Sequence, residues 1–398
     1  MKIAIISPAG LPIPAVKGGA VETLVTNLCD QNEKKHEVIM DVYSPFDKKA
    51  LIRSKKYKHV NFFFVNNNFW ARKVKHLIDV IASDIFNSLF TPNNYLLNKY
   101  IKLIKGKNYD YIVIEGYTNY VLKLHRAFPN TKIILHLHND LLNKSTPYSS
   151  EIYNVCFKIF VVSNYIKSCV ETVDKKIRDS SKIIVINNGV DAELFKRDKS
   201  KIRTLKKSFR ILSDDVVIVY AGRLIPEKGV YELITAIKKI NNPRVKLLVI
   251  GASWFSDNRE TKYIRKLREI SVTIKNQVIF TNYISHKAMP YYYSIADLGV
   301  VPSIWNDPAP LSLLEEMSMS LPVIAFNRGG IGEYIGDKSL LIDLNRESIN
   351  KLSFKLNTMI NSSPIYRKSI GNKERENILR NKYTIEGFYE RFIGSLSK

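Results

Sequence analysis

Along most of this chain, short unbroken apolar runs alternate with longer stretches in which hydrophobic residues recur three and four positions apart. The first run, residues 2–7, is followed by a loop with glycine and proline and then by a helix-like stretch over 20–29. Further runs of buried-strand type stand at 38–43, 111–115, 132–136, 159–162 and 183–186. Runs of this kind suit strands covered on both faces, and their alternation with helices predicts a parallel sheet. Over 191–215 the sequence turns basic and the runs stop, which reads as a linker with one short helix. The alternation then restarts, with strands at 216–220, 245–250, 278–281, 298–301 and 322–326 and helices at 230–240, 260–270 and 311–320. Residues 349–398 read as helices alone. The expected fold class is α/β, with two Rossmann-like domains over 1–195 and 196–380 and a closing helix over 381–398. Open α/β sheets bind ligands at the carboxyl ends of their strands, so chemistry belongs in the loops that follow strands. With two such domains, the cleft between them is the default active site.

Composition narrows the picture. A chain of 398 residues suits two domains. Cys29, Cys156 and Cys169 have neither the number for a disulfide framework nor metal-ligand spacing, and read as small buried residues in a reducing compartment. The first residues read as a strand rather than a signal peptide. No apolar run reaches the ~18 residues of a membrane span. Together these features point to the cytoplasm. The net charge of +24 is the unusual bulk property. It implies an anionic partner, whether nucleotide, nucleic acid or anionic lipid, and it is spread over both halves of the chain.

Five loop motifs carry candidate chemistry. In Tyr220-Ala-Gly-Arg-Leu-Ile-Pro-Glu-Lys-Gly229, a buried run ends at Gly222, and Arg223 and Lys228 fall ahead of a helix. A helix N-terminus offers backbone N–H groups to anions, and a guanidinium with an ammonium makes it a diphosphate clamp; the plain alternative is a solvated loop. In the second motif, residues 301–317, Asp307 lies in a proline-rich loop and Glu315 follows eight residues later in a helix. That spacing lets one carboxylate reach the sugar end of a donor and the other its ribose, with the N–H groups of Leu311, Ser312 and Leu313 between them for a phosphate. The alternative is an early-helix acid favoured by the macrodipole, which is the reading given to Glu316. The third is Lys17-Gly18-Gly19-Ala20-Val21-Glu22, where paired glycines open a helix without forming a dinucleotide fingerprint. The fourth is His136-Leu-His138-Asn-Asp140, whose two histidines share a strand face with no third metal-type ligand visible nearby. The fifth, Gly329-Gly330-Ile-Gly-Glu333, reads as part of the same pocket as the second. No Asp-x-Asp occurs, so a metal-chelated diphosphate has no support in the sequence and no metal ligands are assigned.

These motifs, in this order, resemble the retaining glycosyltransferases of GT-B type (glycosyl transferases group 1, bacterial cell-surface glycan type). The carriers are Gly18-Gly19, His138, Asn188-Gly-Val-Asp191 with Phe195, Gly222-Arg-Leu with Glu227-Lys-Gly229, Asp307 to Glu315, and Gly329-Gly330 with Glu333. The resemblance implies that Arg223 and Lys228 bind the donor diphosphate, Glu315 the ribose and Asp307 the donor sugar hydroxyls. It implies that His138 contacts the sugar or the developing charge, and that Tyr283 and Ile284 hold the base through backbone contacts. Gly18, Gly19, Gly222, Leu311, Ser312 and Gly330 would let the donor lie against backbone. It further implies a crossing helix near 383–392, no cofactor, a UDP-sugar as donor and a glycan or lipid-linked acceptor in polysaccharide synthesis. Two residues depart from the pattern: Asp307 stands where the family usually has Glu, and Pro310 where it often has Gly. They leave open a catalytically silent scaffold.

Between Asp47 and Asp79 lie nine Lys/Arg and no carboxylate, together with Phe62, Phe63, Phe64, Phe69 and Trp70. Basic residues flanking aromatics suit an anionic membrane surface, so residues 48–76 are a candidate peripheral membrane contact; the alternative is a core strand at 60–65 within solvated loops. A nucleic-acid partner is not expected, because no recognised nucleic-acid motif is present.

Overall fold

The computed structural model describes residues 1–8, 10–66, 94–177, 180–253 and 259–397. Within them the chain forms two compact units, one of residues 1–186 with 389–398 and the other of residues 187–388.

The first unit is built on seven parallel strands: β1 (Lys2–Ile6), β2 (Ile39–Pro45), β3 (Val60–Val65), β4 (Tyr111–Glu115), β5 (Lys132–Leu137), β6 (Cys156–Val161) and β7 (Ile183–Val185). Their order across the sheet is β3-β2-β1-β4-β5-β6-β7. Chain order reverses at β1, which pairs with β2 on one side and β4 on the other, so Ile5 faces both Val42 and Val113. The crevice above such a reversal is the ligand-binding position of this topology. β1 and β4 are buried almost end to end, as their unbroken apolar runs require. β3 is an edge strand, and Phe62, Phe63 and Phe64 along it are only half-buried.

The second unit repeats the plan with β8 (Val216–Ala221), β9 (Val245–Ile250), β10 (Val278–Asn282), β11 (Leu298–Val301), β12 (Val323–Phe326) and β13 (Leu341–Ile342). Their order is β10-β9-β8-β11-β12-β13, with the reversal between β8 and β11. The strands sit in one core with Leu233, Ile237, Tyr293, Leu314 and Tyr334. β13 was not expected, since two residues are too few for a pattern. The helix expected at 260–270 lies at Lys262–Ser271, capped by the Thr261 side chain.

The second unit begins at Asn187, ahead of residue 196, where the basic stretch had suggested a start. Asn188 accounts for this, because its backbone N–H donates to the Tyr334 hydroxyl and its side-chain amide to the Ala309 carbonyl. Val190 exchanges backbone hydrogen bonds with Tyr383 and Ile385. The last helix, Ile385–Gly394, begins in the second unit and ends in the first. Within the first unit, Tyr389 donates its hydroxyl to Asn32 at 2.9 Å, Lys158 donates to the Ser395 carbonyl at 2.8 Å, and Phe392 packs edge-on against Phe160. No described helix is long and apolar enough to cross a membrane.

Candidate active site

In the second unit the site lies in the loops after β8 and β11, at the reversal of the sheet. β8 ends at Ala221, and the next residues turn tightly enough for the Tyr220 hydroxyl to donate to the Arg223 carbonyl at 2.7 Å. A short 3₁₀ turn, Pro226–Lys228, then leads through Gly229 into the helix Val230–Ile240. Gly229 has φ +69°, and a side chain there would meet the Pro302 carbonyl oxygen at 1.7 Å. Only glycine allows the two loops to lie this close. The Glu227 carbonyl completes the junction by accepting the Ile304 N–H at 3.0 Å.

That approach brings Lys228 and Asp307 together. Lys228 Nζ forms a short ion pair with Asp307 Oδ2, which also accepts the Ser303 hydroxyl at 3.1 Å. Asp307 is buried, and its backbone carbonyl accepts the Gly330 N–H at 2.9 Å. Gly329, at φ +58°, has room for no side chain against the same segment. The Gly329-Gly330 turn therefore joins the site by holding the Asp307 backbone.

Pro310 caps the helix Leu311–Ser318 with no side-chain hydrogen bond. Its missing N–H is one that a first helical turn leaves unpaired in any case, and the N–H groups of Leu311 and Ser312 open that turn. Glu315, one turn in, has both oxygens engaged: Oε1 is 2.9 Å from His286 Nε2, and Oε2 accepts the Tyr293 hydroxyl at 2.9 Å. His286 follows closely on Tyr283 and Ile284, which leave the end of β10, and its ring lies 5.1 Å from that of Phe195. Glu316, read from the sequence as an early-helix acid favoured by the macrodipole, is a core residue instead. It is fully buried with no hydrogen-bond partner on either oxygen, and burial pushes its carboxyl far above the usual carboxylate range, with the Glu315 charge adding to the rise.

The family model described as Glycosyl transferases group 1 matches residues 201–377. The second unit carries a group 1 glycosyltransferase domain. Beyond that domain, the chain is 26% identical over 373 residues to the spore coat protein SA of Bacillus subtilis (strain 168), covering 91% of each chain. It is 26% identical over 253 residues to the capsular polysaccharide biosynthesis glycosyltransferase CapM of Staphylococcus aureus, covering 59% of this chain and 62% of that one. Among solved structures it matches Anabaena HepE in complex with UDP and glucose, with a TM-score of 0.75, 17% identity and full coverage of both chains. The two Rossmann-like units are thus those of the GT-B fold.

The glycosyltransferase domain holds Gly222, Arg223, Lys228, Tyr283, Ile284, Asp307, Leu311, Ser312, Glu315 and Gly330. The remaining candidates, Gly18, Gly19 and His138, lie in the first unit. Gly18 and Gly19 have φ of +87° and +98° and lead into the helix Ala20–Lys35. A side chain on Gly19 would meet Glu22 Oε2 at 2.1 Å, so this glycine makes room for a buried acid. Burial raises the Glu22 carboxyl to about 7, and the charge of Glu115 adds to the rise.

His138 lies at the end of β5 beside His136, and here the fold corrects the sequence reading. A third ligand-type group is present: Glu115, at the end of the neighbouring strand β4, whose Oε2 is 2.7 Å from His138 Nε2 and 3.0 Å from His136 Nδ1. The register of β4 and β5 pairs Glu115 with His136, a relation that no local spacing reveals. Burial would raise the Glu115 carboxyl, but His136 and then His138 outweigh it and hold it at about 2. Burial, followed by His136, lowers the His138 pKa from its ordinary value, with Glu115 pulling the other way. The carboxylate is therefore ionised and His138 neutral near pH 7. His286, Tyr293 and Ser303, which hold the two site carboxylates of the glycosyltransferase domain, were also missed.

Proposed function

We propose that this protein is a retaining glycosyltransferase that moves a sugar from a nucleotide donor, UDP-sugar above all, to a glycan or lipid-linked acceptor in surface polysaccharide synthesis. The observation that carries the reading is the convergence of Arg223, Lys228, Asp307, Glu315 and the start of the helix Leu311–Ser318 on the loops at one sheet reversal. CapM's capsular role and the UDP and glucose bound to HepE support the acceptor and donor classes.

In this reading the nucleoside diphosphate leaves as charge builds on its phosphates. Arg223, Lys228 and the N–H groups of Leu311 and Ser312 stabilise that charge without a metal, consistent with the lack of Asp-x-Asp. Asp307 and His138 contact the sugar, and Glu315 takes the ribose hydroxyls. We assign no side chain as a nucleophile: in the mechanism that the family resemblance suggests, the acceptor attacks from the face that the diphosphate leaves and passes its proton to the diphosphate.

The protein works in the cytoplasm at the inner face of the membrane. Lys48, Lys49 and Lys55 are exposed together with Phe46, Leu51 and Ile52, whereas Arg53 and Lys56 are held by Asp30. Phe69, Trp70, Arg72, Lys73 and Lys75 lie outside the described residues. Changing Lys48, Lys49 and Lys55 to Glu removes binding to anionic vesicles; unchanged binding refutes the contact.

A thermal-shift screen against UDP-, GDP- and ADP-sugars, without metal and paired with Arg223→Ala, tests the donor reading. Stabilisation by one nucleotide series that disappears in the variant supports it. No shift with any nucleotide favours the silent scaffold, whose support is Asp307 and Pro310, and measurable sugar transfer eliminates that scaffold.

A further inference from the structure

The cluster of Glu115, His136 and His138 contains more than the proposed mechanism uses. Glu115 is fully buried and His136 is 1% exposed, while His138 keeps 9%. Glu115 Oε1 has no hydrogen-bond partner, while Oε2 is hydrogen-bonded to His138 Nε2 and lies 3.0 Å from His136 Nδ1. An ionised carboxylate only accepts hydrogen bonds, so the His138 nitrogen that faces it must carry hydrogen. A neutral imidazole has one N–H, which leaves the lone pair on the other ring nitrogen.

We propose that Glu115 is a positioning residue: it fixes His138 as the Nε2–H tautomer, so that Nδ1 accepts a hydrogen bond from a hydroxyl of the sugar being transferred. The proposal rests on the reading of His138 as the sugar-contacting histidine. A neutral imidazole offered as an acceptor reads a hydroxyl donor, a task that an imidazolium or the opposite tautomer cannot perform.

A divalent metal is the rival occupant, since the three groups offer ligand atoms within 4.8 Å of one another. The distances favour hydrogen bonding. Tetrahedral zinc with bonds of about 2.1 Å keeps its ligand atoms about 3.4 Å apart. The Glu115 oxygen is 2.7 Å from His138 and 3.0 Å from His136, which are hydrogen-bond lengths. A metal would have to drive the carboxylate away from both rings.

The test combines nitrogen NMR of histidine-labelled full-length protein with steady-state kinetics of Glu115→Gln and Glu115→Asp. In the unmodified protein, His138 gives the Nε2–H pattern. In Glu115→Gln the amide donates as readily as it accepts, the tautomers mix, and kcat falls about 10–100-fold, the loss of one charged hydrogen bond. The donor KM and the UDP thermal shift stay as they were, because the nucleotide residues are untouched. Glu115→Asp keeps the tautomer and recovers part of kcat. An Nδ1–H pattern in the unmodified protein overturns the proposal even if neither variant folds. So does a kcat within about twofold in Glu115→Gln, or stoichiometric zinc by metal analysis that is lost in that variant. An Nε2–H pattern in a protein that transfers no sugar supports the tautomer assignment and refutes the functional reading.

Discussion

Lys228 and Asp307 form an ion pair between the loops that follow β8 and β11, the two strands at which the second sheet reverses its order. Their side chains are 17% and 5% exposed, so neither charge is well solvated alone. The pair holds the proposed diphosphate lysine in place, and a bound donor has to share it.

Removing one partner strands the other. Lys228→Met alone lowers stability by about 2–4 kcal/mol, the cost of leaving a buried carboxylate without its ion pair. Lys228→Met with Asp307→Asn recovers most of that loss, and every one of these variants loses sugar transfer. Urea unfolding of the two singles and the double measures the coupling, and additive losses show that the residues act independently.

Glu22 makes stability depend on pH near neutrality. Its folded value of about 7 lies above its ordinary 4.5, so the folded protein holds the proton more tightly than the unfolded chain. The contribution is complete below the unfolded value and is lost as pH rises through the folded one, up to about 3 kcal/mol in all. Glu22→Gln therefore raises the melting temperature at about pH 8 and leaves it nearly unchanged at about pH 4. An equal gain at both values rules out titration of Glu22.

Gly299 on β11 faces Glu316, and a Cβ on the glycine would meet Glu316 Oε2 at 2.4 Å. Gly299→Ala costs about 1–3 kcal/mol as an overpacked core position. Adding Glu316→Ala frees the space and removes an unpaired buried carboxyl, so the double variant is more stable than Gly299→Ala alone. Chemical denaturation of the three variants decides it, and a double variant less stable than Gly299→Ala contradicts the contact.

Glu315 is aimed by His286 and Tyr293. His286→Ala or Tyr293→Phe weakens UDP binding about 5–10-fold, the effect of one hydrogen bond of about 1–1.5 kcal/mol. Calorimetric titration reads this directly. Unchanged affinity in both variants removes Glu315 from the nucleotide site.

The chain announced its strands more clearly than its partnerships. β1, β4 and β8 are buried on both faces, so their apolar runs are unbroken and legible, whereas β13 is two residues long and has no pattern to read. Lys228 and Asp307 were legible as parts of one site but not as each other's partner, being 79 residues apart. Glu115 was invisible because it reaches the histidine pair through strand register, a product of the whole sheet. His286 was missed for a related reason, since its bond to Glu315 joins a loop after β10 to a helix after β11. The resemblance to a family placed residues by motif, and the supporting residues lie outside those motifs.

The last helix carries a consequence for synthesis. Residues 389–398 belong to the first unit, yet they leave the ribosome after the whole of the second. All seven strands of the first sheet are made before the second unit, but the Tyr389 and Phe392 contacts of that first unit have to wait for the helical segment that follows the second. A nascent chain halted short of Tyr389 therefore holds all of the second unit together with a first unit that still lacks these contacts.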